Sequence, residues 1–363
     1  MTITIDCRHI DSSGIGVYLT ECLPFLLESP NNFNLAGRSG RLETYASGRK
    51  NVSIIDCAVK PFSLAELFAF PKKILKVINS GDAYYTPYFN IPRGIKVPVY
   101  VTIHDIIFAD MPELVSRAGY YARMFFYRRA AKLAKSVFTV SSFSASRINA
   151  HLAARRIVIA PPGISRAVRQ AAKEGGFVKT KTIVFAGNIK KHKGLSLLIR
   201  AFKSALSRGL DYKLVILGGK LNLRTRDEKT LKEIKSSLDS AANIEWKENI
   251  PPREFCALLG EAALLVQSSL YEGFGLPPLE AMALGTTALI SDIAVFKEVY
   301  AEFPVVFFRA GDEGSLRDKL LELLYNRKID MIPSVSLSRA QMEIWSFENC
   351  ARLILEELCR NAA

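Results

Sequence analysis

Residues 271–280 read YEGFGLPPLE, which places Glu272 and Glu280 eight positions apart around Gly273, Phe274, Gly275, Leu276 and a double proline. The two glycines permit a tight turn with exposed amides, and Pro277 and Pro278 stiffen the approach to a following helix. The pattern puts Glu280 in the first turn of that helix, where a carboxylate has two explanations. Either it offsets the helix dipole, worth roughly 0.3–1 kcal/mol, or it accepts two hydroxyl hydrogen bonds from a ribose, each contributing roughly 1.5–3 kcal/mol.

A second cluster lies in FAGNIKKHKGLSLLIRAF, residues 185–202. A strand ends at Gly187, a loop carries Asn188, Lys190, Lys191, His192 and Lys193, and a helix opens near Gly194. Cations at the positive end of a helix repel one another unless an anion joins them. The loop therefore reads either as a phosphate or pyrophosphate site or as solvated surface lysines. VTIHDIIF ends a strand at His104 and Asp105. Such a histidine is either a satisfied core residue or, facing a cleft, a group that donates to a polar ligand or exchanges protons near neutral pH. In DSSGIGVY, residues 11–18, Gly14 and Gly16 either let the backbone approach an anion at a helix N-terminus or simply make a tight turn.

All four places are strand ends, where open α/β sheets bind ligands. ITIDC, VSIID, AYYTPYF, VPVYVTI and SVFTVS read as strands; GVYLTECLPFLLE, AELFAFPKKILKVIN, SRAGYYARMFFYRRAAKLAK and SASRINAHLAA read as helices. This alternation predicts a parallel sheet covered by helices. It breaks at Pro161-Pro162-Gly163, and the Lys/Glu/Gly-rich stretch up to Thr182 reads as a linker. TIVFAG, KLVILGG, NIEWKE, ALLVQSS, TALISD and PVVFF then read as strands, between helices at Leu195 to Ser207, Lys229 to Asp239, Arg253 to Leu259, PLEAMALG and SLRDKLLELLYN. The expectation is two doubly wound, Rossmann-like α/β domains facing a cleft, residues 1–165 and 180–344. An amphipathic closing helix in residues 345–363 is able to pack on either, including back on the first.

Composition agrees with this plan. The 363 residues exceed the roughly 100–200 of one ordinary domain, and 49% apolar with 23% charged residues is the balance of a packed globular chain. The N-terminal MTITIDCRHI alternates like a strand and carries Asp6 and Arg8, unlike a signal peptide, and no run of about 18 apolar residues occurs. Six cysteines without a CxxC pair read as reduced thiols and not as a zinc site or disulfide framework. A cytoplasmic protein is expected. The net charge of +14 is uneven, with 20 Lys and Arg against 11 Asp and Glu in residues 1–165, so the N-terminal half favours an anionic partner.

These motifs, in this order, resemble those of the retaining glycosyltransferases of family four, whose fold is GT-B. EGFGLPPLEAMALGTTALISD is similar to that family's E-x7-E signature, and GNIKKHKGLSLLIRAF to its donor-phosphate loop. CRHIDSSGIGVYLTECL resembles the glycine loop of a subgroup rich in mannosyl- and deoxyhexosyltransferases, while VTIHDIIF, VFTVSSFSASRI, APPGI and WSFENCARLI also sit in family order. The resemblance spans nearly the whole chain. It implies that Glu280 binds the ribose of a nucleoside diphosphate sugar, Glu272 contacts hydroxyls of the donor sugar, Lys193 neutralises the diphosphate and His104 lies near the transferred sugar. His104, Lys193 and Glu272 form the implied catalytic set. Gly14, Gly16, Gly187, Asn188, Lys190, Lys191, Gly273, Phe274, Gly275 and Leu276 join Lys193 and Glu280 in the implied donor site. Asn188 is a departure, since many relatives carry arginine there; Lys190 or Lys191 then supplies the charge, but as a point charge and without a bidentate fork.

The resemblance further implies metal independence, with no cofactor beyond the nucleotide-sugar co-substrate. The implied reaction moves a hexose, of the mannose or deoxyhexose kind and from a GDP-linked donor, to a glycan or polyprenyl-diphosphate-linked glycan. A UDP-sugar donor and a non-hydrolysing sugar-nucleotide epimerase are the alternatives within this architecture. Wound as a helix, RAGYYARMFFYRRAAKLAK sets Arg117, Arg128, Lys132 and Lys135 beside Tyr121, Met124 and Phe125. That face suits an anionic membrane surface or a lipid diphosphate, or is an ordinary solvated helix with aromatics in the core. Nucleic acid is not an expected partner, because no recognisable binding motif accompanies the charge.

Overall fold

In the first half of the chain the central strands are short and buried on both faces, as a parallel sheet covered on both sides demands. The computed structural model describes residues 1–218, 234–236, 243–325 and 335–360. It divides into two units, Met1–Gly163 with Trp345–Ala363, and Ile164–Ile344.

The first unit is built on seven parallel strands: β1 (Thr2–Asp6), β2 (Asn32–Gly37), β3 (Val52–Asp56), β4 (Ala83–Thr86), β5 (Val99–Thr102), β6 (Ser136–Thr139) and β7 (Ile157–Ile159). Their order is β3-β2-β1-β4-β5-β6-β7, so the winding reverses between β1 and β4. Strand β2 is absent from the expectations above. Asn31, Asn32 and Asn34 dilute its apolar pattern, and only pairing of Phe33 with Ile3 and of Leu35 with Ile5 places it in the core. The expected helix AELFAFPKKILKVIN is two helices, Leu64–Phe68 and Lys72–Asn79. Pro71 divides them, because it lacks an N–H and disfavours helix at the residue before it.

The second unit carries β8 (Thr180–Ala186), β9 (Lys213–Leu217), β10 (Ile244–Lys247), β11 (Ala262–Gln267), β12 (Thr287–Ser291) and β13 (Val306–Phe308), ordered β10-β9-β8-β11-β12-β13 among the described residues. Its winding reverses between β8 and β11. The helix expected at Lys229 to Asp239 lies outside the described residues except for 234–236. The stretch read as a linker is folded: Ser165 caps a helix at Arg166–Glu174, whose Val168 is fully buried and which packs on helices Pro252–Glu261 and Leu276–Ala283. Its single apolar anchor among charged residues hides this helix from composition.

The closing helix, Phe347–Cys359, belongs to the first unit and packs along helix Ser13–Leu27. Cys350 and Ile354 are fully buried, and Glu357 accepts from Ser136 Oγ at 2.7 Å and Arg156 Nε at 2.6 Å. The chain leaves this unit beside the point where it re-enters. A Cβ on Gly163 would stand 2.2 Å from the Ser346 carbonyl carbon, so no other residue fits there without moving backbone. Because Ile354 is fully buried, Ile354→Ala is expected to lower the stability of the first unit by about 2–5 kcal/mol. Urea unfolding checks this; a loss below about 0.5 kcal/mol means that the helix is not part of that unit's core.

Candidate active site

At the reversal point of the second sheet, the loops after β8 and β11 meet. Lys193 ends a short 3-10 turn, Lys191–Lys193, and Gly194 follows in the left-handed region at φ 66°. A side chain at Gly194 would run 2.0 Å from the Ser268 carbonyl oxygen, so glycine here serves both the turn and the close approach. Ser268 Oγ donates to the Gly194 carbonyl at 2.9 Å, and Leu270 N donates to the His192 carbonyl at 2.7 Å. The two loops are thereby tied together, and helix Leu195–Leu206 starts with its first amides lacking intrahelical acceptors.

These ties bring Lys193 Nζ to 2.5 Å from Glu272 Oε1, with side chains only 19% and 9% exposed. The same oxygen accepts from Ser269 Oγ at 2.7 Å and lies 3.4 Å from Gln267 Nε2, which itself donates to Ser269 Oγ at 3.1 Å. Burial alone would push the Glu272 pKa up, but the Lys193 charge and the hydrogen bonds from Lys193 and Ser269 hold it below the usual carboxylate range. Burial, then the Lys193 charge, pushes neighbouring His192 down to about 4. Lys193 thus already has an anion, a carboxylate of its own chain; Lys190 and Lys191 remain exposed on the rim.

The rest of YEGFGLPPLE wraps this pair. Gly273 and Phe274 are buried, and Gly275 adopts φ 89° with the Phe296 ring 2.4 Å from where a Cβ would stand. Tyr300 OH donates to the Gly275 carbonyl and pins the turn. The helix begins at Leu276 and takes both prolines into its first turn, where missing N–H groups cost nothing. Glu280 consequently lies one turn deeper than expected, which removes the helix-dipole explanation for it. It is half-buried near Cys256, whose thiol is pushed up to about 11 by burial and then by the Glu280 charge. Gly187, at φ 148°, follows β8; a Cβ on Gly218 would meet its carbonyl oxygen at 2.0 Å, so the chain just past β8 and just past β9 touches. Asn188 is half-buried beside it.

The remaining predicted residues belong to the first unit. Gly14 is exposed, with nothing near a would-be Cβ. Gly16 lies in the first turns of helix Ser13–Leu27, donates its N–H to the Ser12 carbonyl at 2.7 Å, and is glycine because Ile10 O would stand 2.5 Å from a Cβ. Its amide is therefore committed to the helix and not open to an anion. His104 Nε2 bonds the Pro87 carbonyl at 2.9 Å, and its ring meets Tyr18 edge-on at 4.7 Å. Burial depresses its pKa, so near neutral pH it is uncharged, with Nε2 carrying the proton.

Several residues went unnoticed in the sequence. Gln267, Ser268, Ser269 and Tyr300 hold the pair and its turn, and the only hint was the position of QSS at a strand end. At the reversal point of the first sheet, Asp6 accepts from Arg8 at 2.6 and 2.8 Å, from Tyr84 OH at 2.7 Å and from Asn90 Nδ2 at 3.0 Å. Glu66 accepts from the same Arg8 at 2.7 Å and from Asn90 at 3.0 Å. Burial opposes ionisation of Asp6, yet Arg8 wins and takes its pKa to about 2.

His192 supplies a pH test. In the unfolded chain it titrates near 6.5, so between pH 6.5 and 4 the unfolded state binds a proton that the folded unit refuses. Stability of the second unit is fully present above pH 6.5 and falls toward pH 4, by up to roughly 3 kcal/mol from this group. His192→Gln is expected to flatten that part of the curve of urea midpoint against pH; an unchanged slope would show that His192 titrates normally.

Known proteins share parts of this sequence and its fold. The family described as Glycosyl transferases group 1 matches residues 168–334. The MMP alpha-(1->4)-mannosyltransferase of Mycolicibacterium hassiacum is 28% identical over 254 residues, 66% of this chain and 59% of that protein. The O-antigen chain mannosyltransferase RfbU of Salmonella typhimurium is 24% identical over 259 residues, 70% of this chain and 67% of that one. The chain thus spans about three-fifths of the first relative's length. The crystal structure of Anabaena Alr3699/HepE in complex with UDP and glucose superposes with a TM-score of 0.71 at 16% identity, over 99% of this chain and 100% of that chain. Residues 168–334 are thus similar to the glycosyl transferases of group 1, and the fold of the chain is GT-B.

Proposed function

We propose that the protein moves a hexose, mannose or a related deoxyhexose, from a nucleoside diphosphate sugar to a glycan or lipid-linked oligosaccharide in surface polysaccharide assembly, with retention at the anomeric carbon. The observation that carries this reading is the buried Lys193–Glu272 pair at the reversal point of the second sheet, beside the open amides of helix Leu195–Leu206. A diphosphate arriving at Lys193 exchanges one anionic partner of the ammonium for another. The released Glu272 carboxylate then accepts from hydroxyls of the donor sugar. Each buried charge stays compensated throughout, which matters because an unpaired one costs about 3–5 kcal/mol.

As the bond from the anomeric carbon to the β-phosphate oxygen breaks, negative charge grows on the leaving group. Lys193 and the helix N-terminus bind that charge more strongly than the ground state, and only such differential binding accelerates the step. We assign the counter-charge to these fixed groups and not to a divalent ion. The acceptor hydroxyl attacks from the leaving-group side and passes its proton to the departing phosphate, so Glu272 positions the sugar and is not the nucleophile. Glu280 takes the ribose hydroxyls. His104, neutral and with Nε2 committed to Pro87, offers Nδ1 as an acceptor to a sugar hydroxyl. The mannosyltransferase names of the relatives favour a mannose-type donor, and we take its nucleotide to be GDP.

No helix among the described residues is long and apolar enough to cross a membrane. We propose a cytoplasmic protein attached peripherally at the inner face of a membrane, where a lipid-linked acceptor would be met. Thermal shifts with GDP-, UDP- and dTDP-sugars test the donor site. A GDP-sugar at 100 times its dissociation constant is expected to stabilise by about 2.7 kcal/mol, and Glu280→Ala to abolish the shift. A response only to a UDP-sugar would move the donor assignment. An intact response in Glu280→Ala would remove the ribose role, and isomerised donor without acceptor would replace transfer by epimerisation.

A further inference from the structure

Helix Arg117–Leu133 turns Met124, Tyr127, Ala130 and Ala131 into the core of the first unit. Arg117, Tyr121, Phe125, Arg128 and Lys132 recur every three or four residues on its outer side, all exposed. Tyr121 is 69% and Phe125 54% exposed. Met124 therefore leaves the basic and aromatic stripe expected from sequence, and Lys135 falls beyond the helix. Beside the stripe, helix Leu64–Phe68 holds Leu64 75% and Phe68 71% exposed. A groove of ≈ 580 Å³ runs between them, lined by Phe68, Ile91, Arg93, Lys96, Phe125 and Arg129 among others.

The charge of this face has one sign. Residues 64–68, 91–99 and 117–133 hold seven Lys and Arg and a single acid, Glu66, whose carboxylate is fully buried against Arg8. Large exposed apolar groups mark an interaction site, and here they are ringed by cations. A second copy of the same face would bring like charges together. A nucleic acid would meet the cations but gives aliphatic Leu64 no hydrocarbon to enter. An anionic bilayer satisfies both at once, with phosphates for the cations and acyl chains for Leu64, Phe68 and Phe125.

We propose that this groove and stripe dock the protein on an anionic phospholipid bilayer. The assignment deepens the membrane-attached reading above and rests on it for its setting, although its residues are separate from the donor site. Flotation of the full chain with phosphatidylcholine vesicles, with and without phosphatidylglycerol, tests it. Binding is expected only with phosphatidylglycerol, and to weaken at high salt. Each cation near the surface contributes about fivefold, so Arg128→Gln with Lys132→Gln should lower partitioning roughly 25-fold. Phe68→Ser with Phe125→Ser should release the protein, while Lys50→Gln should not. No flotation, flotation indifferent to both pairs, or flotation that requires added polyprenyl diphosphate overturns the proposal, as does retention on duplex DNA without flotation. Sugar-nucleotide thermal shifts in the same variants report folding. A lost shift with intact flotation would sink only the glycosyl-transfer reading, and the reverse only the docking.

Discussion

A lysine and a carboxylate 79 residues apart in sequence must arrive at one buried point, and much of the second unit is arranged so that they do. Adjacent strands β8 and β11 aim their following loops at the same place. Ser268 then fastens one loop to the other, glycine at 194 removes the side chain that would hold them apart, and Ser269 gives the paired carboxylate oxygen a second hydrogen bond. Were Lys193 to leave with nothing in its place, Glu272 would be a buried charge against two neutral side chains. Buried ion pairs seldom exceed their own desolvation cost, so the pair is weak evidence of stabilisation for its own sake, and in the function proposed above it holds the place of an exchange.

Both sheets reverse their winding in the same way, yet the two reversal points differ in chemistry. In the first, Arg8 spends four of its five side-chain N–H donors on Asp6, Glu66 and the Val59 carbonyl, and Asn90 bridges the two carboxylates. Helix Leu64–Phe68 delivers Glu66 to that point, with Phe62 N closing its second oxygen at 2.6 Å. Such a network spends its charges on itself and fixes strand ends. In the second, a charge pair lies beside unclaimed helix amides. Topology supplied two equivalent places and side chains gave them different chemistry.

Most of the alternation of strands and helices was legible, because buried strands and amphipathic helices advertise their periods. The spacing of Glu272 and Glu280 and the crowding of lysines at 190–193 also marked two loops that the fold brings together. What was hidden depended on contacts remote in sequence. Strand β2 reads as polar until it pairs, helix Arg166–Glu174 has one anchor, and the serines that hold Glu272 resemble any loop serines. Gly16 shows the opposite failure. A glycine beside a helix start suggests an anion, but here it answers a carbonyl oxygen of its own chain.

The crossing of Gly163 with Ser346 has a consequence in time. The entire second unit is made between the two parts of the first, and Cys22, which lies 3.8 Å from Cys350 Sγ to Sγ, waits for a partner 328 residues later. At about 5–20 residues per second of synthesis, that wait is on the order of 15–65 s. Throughout it, the face of helix Ser13–Leu27 bearing Tyr18 and Cys22 is open to other partners, while residues 164–344 form one uninterrupted stretch able to fold as they emerge. The order of completion on the ribosome is thus inverted relative to the order of the chain: the unit that starts first closes last.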